Sequence, residues 1–139
     1  MYLKKINLKS KYALVTGAGK GLGKACSIAL AEAGATIIAL SRTQTDLDKL
    51  EKTIKKIIST KGPIQALINN AANDDRHTTD QVDEKYWQNR MDVNLKHYFF
   101  AAKAVIKGMK KIKAGSIVNL SSVSWMLGEG DKVVYETAK

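Results

Sequence analysis

Apolar and polar positions along the chain alternate between two kinds of pattern. Four short, nearly continuous runs rich in β-branched residues stand out: Tyr12-Ala13-Leu14-Val15-Thr16, Thr36-Ile37-Ile38-Ala39-Leu40, Ala66-Leu67-Ile68-Asn69 and Ser116-Ile117-Val118-Asn119-Leu120. Runs of this kind suit strands covered on both faces, as in a parallel sheet. Between them, apolar residues recur at helical spacing. Leu22, Ala25, Cys26, Ala29 and Leu30 follow the first run. Leu47, Leu50, Ile54, Ile57 and Ile58 share one side of a helix predicted from Asp46 to about Ser59. The longest pattern joins Met91, Leu95, Tyr98, Phe99, Ala102, Val105, Ile106 and Met109, and Gly115 and Ser116 break it before the fourth run. Strands alternating with helices predict an α/β fold, a doubly wound parallel sheet of about four strands in one domain over residues 1–139.

Composition narrows the class. With 139 residues, 45% apolar and 26% charged, the chain is close to soluble globular averages, which excludes disordered and collagen-like classes. The one cysteine, Cys26, cannot form an internal disulfide; it fits a reducing cytoplasm and the role of a small buried apolar residue. Lys4, Lys5, Lys9 and Lys11 near the start are followed by no long apolar run, so neither a secretory nor a membrane segment is expected, and a cytoplasmic location is. The formal charge of +10 raises the question of nucleic acid. Its lysines are spread along the chain, only Arg42, Arg76 and Arg90 are arginines, and the cluster Lys110, Lys111 and Lys113 closes a predicted helix, where cations offset the dipole. A solvated basic surface that attracts a phosphate-bearing cofactor fits better than a nucleic-acid partner, for which no aromatic platform is present.

Thr16-Gly17-Ala18-Gly19-Lys20-Gly21-Leu22-Gly23 follows a predicted strand and opens a helix. Residues without a Cβ let the backbone turn tightly and approach a pyrophosphate seated on the helix N-terminus. Gly17, Gly21 and Gly23 give G-x-x-x-G-x-G, and the alternative spacing G-x-G-x-x-G does not fit these positions. The second strand ends Leu40-Ser41-Arg42, without the carboxylate that would hold the ribose hydroxyls of NAD. Lys20 and Arg42 stand where a ribose phosphate would lie, so NADP is expected over NAD.

Tyr135-Glu136-Thr137-Ala138-Lys139 spells Y-x-x-x-K, which places a phenol and an ammonium on one face of a helix. A cation beside a tyrosine favours the phenolate and suits it to exchange a proton with a carbonyl or alcohol as hydride moves to or from nicotinamide. Upstream, Asn69-Asn70-Ala71-Ala72 ends the third strand, Val93-Asn94-Leu95 lies in the long helical pattern, and Ser121-Ser122 follow the fourth strand. Strand C-termini are where open α/β sheets place ligands.

These motifs, in this order, resemble the short-chain dehydrogenase/reductase family across most of the chain. The resemblance implies a Rossmann-type fold and a catalytic tetrad of Asn94, Ser122, Tyr135 and Lys139. Tyr135 would be the general acid/base. Lys139 would hold the nicotinamide ribose and lower the tyrosine pKa, Ser122 would bond the substrate oxygen, and Asn94 would shape the helix and hold a relay water. Cofactor contacts would come from Gly17, Gly19, Lys20, Gly21, Leu22, Gly23, Ser41, Arg42, Asn70, Ala71, Tyr135 and Lys139, with no metal. Asn69 to His77 and Ser124-Trp125-Met126-Leu127-Gly128 are similar to aldose (xylose-type) dehydrogenases of the family, and the 15–21 and 41–44 segments to its xylulose-reductase-type members. A small sugar or polyol, as carbonyl or alcohol, is the implied substrate. Trp125 would stack on the sugar or fill the core, and His77 would be a loop residue.

The chain departs from the family in two places. Between Arg42 and Gly62 there is room for one helix where the family has a helix, a strand and another helix. The chain also stops at Lys139, short of the family's last strands, so the polypeptide by itself is expected to fold poorly or lack activity, and the long helix to expose apolar surface. Dimers or tetramers are the family's habit. A catalytically inactive nucleotide-binding remnant is the alternative.

Overall fold

A computed structural model describes residues 6–40 and 47–139, the side chains of 47–53 excepted. The four strands are β1 (Tyr12–Thr16), β2 (Thr36–Leu40), β3 (Ala66–Asn69) and β4 (Ser116–Asn119). They form one parallel sheet in the order β2-β1-β3-β4. The helices are α1 (Gly21–Glu32), α2 (Leu47–Lys61), α3 (Glu84–Met91), α4 (His97–Ile112), α5 (Ser124–Leu127) and α6 (Val133–Ala138). Asp92–Lys96 joins α3 to α4 as a π-helical turn, and Thr79–Gln81 is a short 3-10 turn. The doubly wound α/β reading of the sequence is borne out.

Burial follows position in the sheet. β1 lies between two neighbours, and its Ala13, Leu14 and Val15 are fully buried. One core forms where α2 and α4 cross beneath the sheet: Leu14, Ile54, Ile64, Leu67, Ala101, Val105 and Met109, with Ile57, Ile58 and Ile117 packed against it. β4 is an edge strand with only Ile117 partly covered, and α1 leaves Leu22, Ala25 and Ala29 exposed. Cover on both faces, expected of every strand, therefore holds for β1 alone in full. Cys26 is half-buried rather than buried, because α1 covers the sheet only along one side.

The longest helical pattern begins earlier than its apolar residues announce. Asp83 caps α3 by accepting from the Tyr86 N–H at 2.6 Å, and α3 is a polar, surface-lying segment without a buried residue. At the other end Lys110 and Lys111 occupy the last turn of α4, and Lys113 adopts a left-handed conformation that ends it. As expected, α4 exposes apolar surface through Phe99 and Ile106, joined by Leu95 of the π turn. Among the described residues, no helix is long and apolar enough to cross a membrane.

Leu67 sits fully buried on β3 at the centre of the core. Leu67→Ala is expected to lower stability by about 2–5 kcal/mol, since the surrounding strands cannot collapse into the space. Urea unfolding of the two proteins measures this, and a difference under 1 kcal/mol contradicts the packing.

Candidate active site

The parallel register sets the C-terminal ends of β1, β3 and β4 side by side, and hydrogen bonds sew the loops leaving them together. Thr16, the last residue of β1, is buried, and its hydroxyl accepts from the N–H groups of Asn70 and Ala71 at 3.0 and 3.1 Å. Asn70 returns the tie, its side-chain amide donating to the carbonyls of Thr16 and Gly17 at 3.0 and 3.2 Å. This approach leaves no room for a side chain at Gly17 or Gly23. Gly17 has φ +67°, and a Cβ there would meet the Asn70 amide and Ala71 backbone; one at Gly23 would strike the Gly17 carbonyl. The Gly17 and Ala18 N–H groups bond the Leu40 carbonyl, and the first helical bond of α1 runs from the Lys24 N–H to Lys20. The N–H groups of Gly21, Leu22 and Gly23 precede that bond, as at any helix start, and form an anion-binding end beside the turn. Lys20 is exposed there, at the N-cap. Ser41 and Arg42, the other expected contacts to a ribose phosphate, lie outside the described residues.

The second half of the site hangs on Asn69. Its side-chain amide donates to the Asn119 side chain at 2.8 Å and to the Tyr98 carbonyl at 3.3 Å. Its own carbonyl accepts from the Leu120 N–H at 2.9 Å. The Leu120 carbonyl in turn accepts from the Lys139 ammonium at 2.9 Å and from the Tyr98 hydroxyl at 2.8 Å. Lys139 Nζ also donates to the Tyr98 hydroxyl, and lies 4.7 Å from the centre of the Tyr98 ring and 5.7 Å from that of Tyr135. Tyr135 and Lys139 are thus brought together on the face expected of Y-x-x-x-K.

Burial shifts the charges here. Desolvation lowers the Lys139 ammonium to about 8. Tyr98 is pushed up to about 12, by burial first and by the neighbouring Tyr135 second, so it stays a neutral phenol. His97, buried and edge-on to Tyr98, is lowered to about 4 by burial, with Lys139 adding to the effect.

Asn94 lies in the π turn and is fully buried. Its side chain clamps the main chain of Asn73, accepting from the N–H at 2.8 Å and donating to the carbonyl at 2.9 Å. Such π turns recur where a helix must present a group to a functional site. Ser122 pairs with Ser124 at 2.8 Å, at the start of α5, which packs against α6. Trp125 is exposed, so it does not fill the core; α5 is a single turn with no layer outside it. His77 is in a loop yet buried, and its Nε2 accepts from the Val134 N–H at 3.3 Å. Nδ1 then carries the hydrogen, 2.9 Å from the Asp75 carbonyl. Because Lys132 offers no side-chain cap to α6, His77 caps the helix that carries Tyr135 from another loop. The sequence reading missed the roles of Tyr98, His97, the Thr16 hydroxyl and the His77 cap. Only Tyr98 left a signal there, standing four residues after Asn94 and so near its face of the helix. Among the described residues no group of three or more His, Cys, Asp or Glu is placed to hold a metal.

The family pattern described as short chain dehydrogenase matches residues 11–61 and 44–139. The chain belongs to this family. D-xylose 1-dehydrogenase of Caulobacter vibrioides is 37% identical over 153 aligned positions, covering 96% of this chain and 62% of that protein. The 3-oxoacyl-[acyl-carrier-protein] reductase FabG of Vibrio harveyi is 32% identical, covering 96% and 64%. Aldohexose dehydrogenase of Thermoplasma acidophilum, in ligand-free form, superposes with a TM-score of 0.84 at 28% identity, covering 94% of this chain and 56% of that one. The chain therefore spans under two thirds of the length of these relatives. The 153 aligned positions exceed its 139 residues, so the xylose dehydrogenase also carries residues that this chain lacks.

His97 gives a pH test of the site's packing. The unfolded chain, with a histidine pKa near about 6.5, binds a proton before the folded chain does. Stability is then fully present above about pH 6.5 and falls by about 3 kcal/mol as pH drops toward about 4. Urea unfolding across this range should show the loss in the native chain and not in His97→Gln; parallel curves contradict it.

Proposed function

We propose that this chain carries the cofactor-binding and proton-transfer site of an NADP(H)-dependent oxidoreductase that interconverts a secondary alcohol and a carbonyl, on a sugar or polyol. One observation carries the reading. Hydrogen bonds from the adjacent residues Asn70 and Asn69 tie the glycine turn on one side to Leu120 and, through its carbonyl, to the ammonium beside Tyr135 on the other. The glycine turn is a cradle that a Cβ would fill, and it opens on a helix N-terminus, so the residues present suit a dinucleotide. When bound, the nicotinamide cofactor supplies or accepts the hydride.

The chain's own groups would do the rest. Gly19, Gly21, Leu22 and Gly23 would present main chain to the phosphates, while Asn70 and Ala71 hold the turn from below. Lys20 would meet a ribose phosphate, and Arg42 would join it. Tyr135 would give its phenolic proton to the carbonyl oxygen as the alcohol forms, and take it back in the reverse direction. The Lys139 ammonium would stabilise the phenolate left behind, which requires its protonated form and so operates below about pH 8. Ser122 would hold the substrate oxygen, and Asn94 would shape the helix wall. The similarity to xylose and aldohexose dehydrogenases supports a small polyhydroxylated substrate over the acyl-carrier substrate named for FabG. A second reading, a nucleotide-binding chain without turnover, draws on the residues missing relative to the xylose dehydrogenase.

Fluorescence enhancement of NADPH on mixing with the chain tests the cofactor site. Binding is expected to be tighter than that of NADH and to lose this preference in Lys20→Glu; equal affinity for the two nucleotides sinks the NADP reading. Tyr135→Phe should still bind NADPH, weakened at most by the loss of one contact, and lower sugar or polyol turnover by about 100-fold or more. Turnover that survives the substitution sinks the assignment of the acid/base, and NADPH binding with no turnover in either protein favours the second reading.

A further inference from the structure

The ammonium of Lys139 is held by more than the motif that contains it. It donates to two oxygens, the Leu120 carbonyl and the Tyr98 hydroxyl, and these two are bonded to each other. The three groups form a closed triangle. The Tyr98 hydroxyl has one hydrogen and gives it to Leu120, so its lone pairs face the ammonium. Tyr98 is itself buried, and its carbonyl is tied to Asn69. The bond to Asn69 fixes the Tyr98 main chain against β3, and the phenol cannot swing away without breaking its bond to Leu120. The ammonium sits within reach of two aromatic faces, those of Tyr98 and Tyr135.

We propose that Tyr98 is a positioning residue for Lys139: its phenol oxygen docks the ammonium at the end of β4 and so holds the positive charge beside Tyr135 before any cofactor arrives. Lysine is a flexible four-carbon stem that costs entropy to order, and a half-buried ammonium with one acceptor would turn back to water. With the Tyr98 oxygen as a second, rigid acceptor the charge stays in place. The arrangement also separates the two phenols by task. Tyr98 remains protonated across the working range because burial and its neighbour raise it to about 12, while its hydroxyl serves only as a bridge. His97, the titratable side chain beside this pair, is neutral at neutral pH and adds no competing charge.

The inference rests on the reading of Lys139 as the ammonium that serves the proton-transfer phenol, but its test needs neither cofactor nor substrate. Competitive acetylation of the chain across pH, resolved by mass spectrometry, gives the titration of Lys139 by itself. In the native protein this should fall near 8. Tyr98→Phe keeps the ring and removes only the acceptor. In that variant, checked as folded by circular dichroism, the ammonium should turn to solvent and its titration should rise toward the ordinary lysine value of about 10.4. A Lys139 titration unmoved in folded Tyr98→Phe overturns the proposal.

A second measurement uses the native sequence and stands if the variant does not fold. With tyrosine labelled at the ring carbon that bears oxygen, the Tyr98 resonance should shift at the pH where Lys139 loses its proton, well below ionisation of the phenol itself. A Tyr98 signal that stays flat between about pH 7 and 9 overturns the proposal. A purely structural tyrosine would not follow the titration of a lysine. If the proton-transfer reading fails, turnover will survive in Tyr135→Phe while both of these results still hold, so the two failures are told apart.

Discussion

The site depends on the pairing of β1, β3 and β4 in parallel register, which delivers three chain segments to one edge of the sheet. At that edge each strand ends with main-chain groups that no further strand satisfies, and they must find partners nearby. Two consecutive asparagines supply them. Asn70 reaches toward β1 and fastens the glycine turn, and Asn69 reaches toward β4 and α4. An amide side chain suits this place because it offers both donors and an acceptor, while the neighbouring carbonyls offer only acceptors.

On that frame the electrostatics follow. A lone ammonium placed near a phenol in water would do little, since bulk solvent weakens the interaction to about 1 kcal/mol at contact distance. Partial burial strengthens the attraction but also threatens to strip the lysine of its proton, and Lys139 is indeed drawn down to about 8. The fold balances these effects by giving the ammonium two oxygen acceptors and two aromatic faces. The charge stays available near neutral pH while remaining close to the Tyr135 ring.

Much of this was legible in the sequence because it is local. Continuous apolar runs announced all four strands, and Y-x-x-x-K announced a shared helix face. The glycine turn could be read because the need for a missing Cβ is a property of single positions; the structure adds what a Cβ at Gly17 or Gly23 would have struck. Long-range effects were not legible. That β4 is an edge strand and α1 half-exposed depends on which elements are neighbours, and no run of residues records this. α3 escaped notice because its sequence is polar, its start is set by the Asp83 cap, and it has no buried face. Trp125 was read as either core or sugar platform, and its single-turn helix leaves it exposed. His77 was placed in a loop, and it is in one; its burial and its bond to Val134 reflect a contact across 57 residues.

The shortening expected between β2 and β3 bears on how much of the site can survive it. Residues 44–61 fall within both family matches, and in the described part of this connection lies one helix, α2. β2 lies at the end of the sheet order, so residues missing after it fall on the side away from β3 and β4. α2 still reaches α4 and buries Ile54 in the shared core, which closes the sheet from below without the missing segment. The path from Gly17 to Lys139 runs through β1, β3 and β4, but the Gly17 and Ala18 N–H groups also bond the Leu40 carbonyl at the end of β2. Tyr135 and Lys139 are therefore insulated from a change after β2, while the glycine turn meets it through Leu40, and the wall beyond β2, where the adenosine end of a dinucleotide would rest, bears it most.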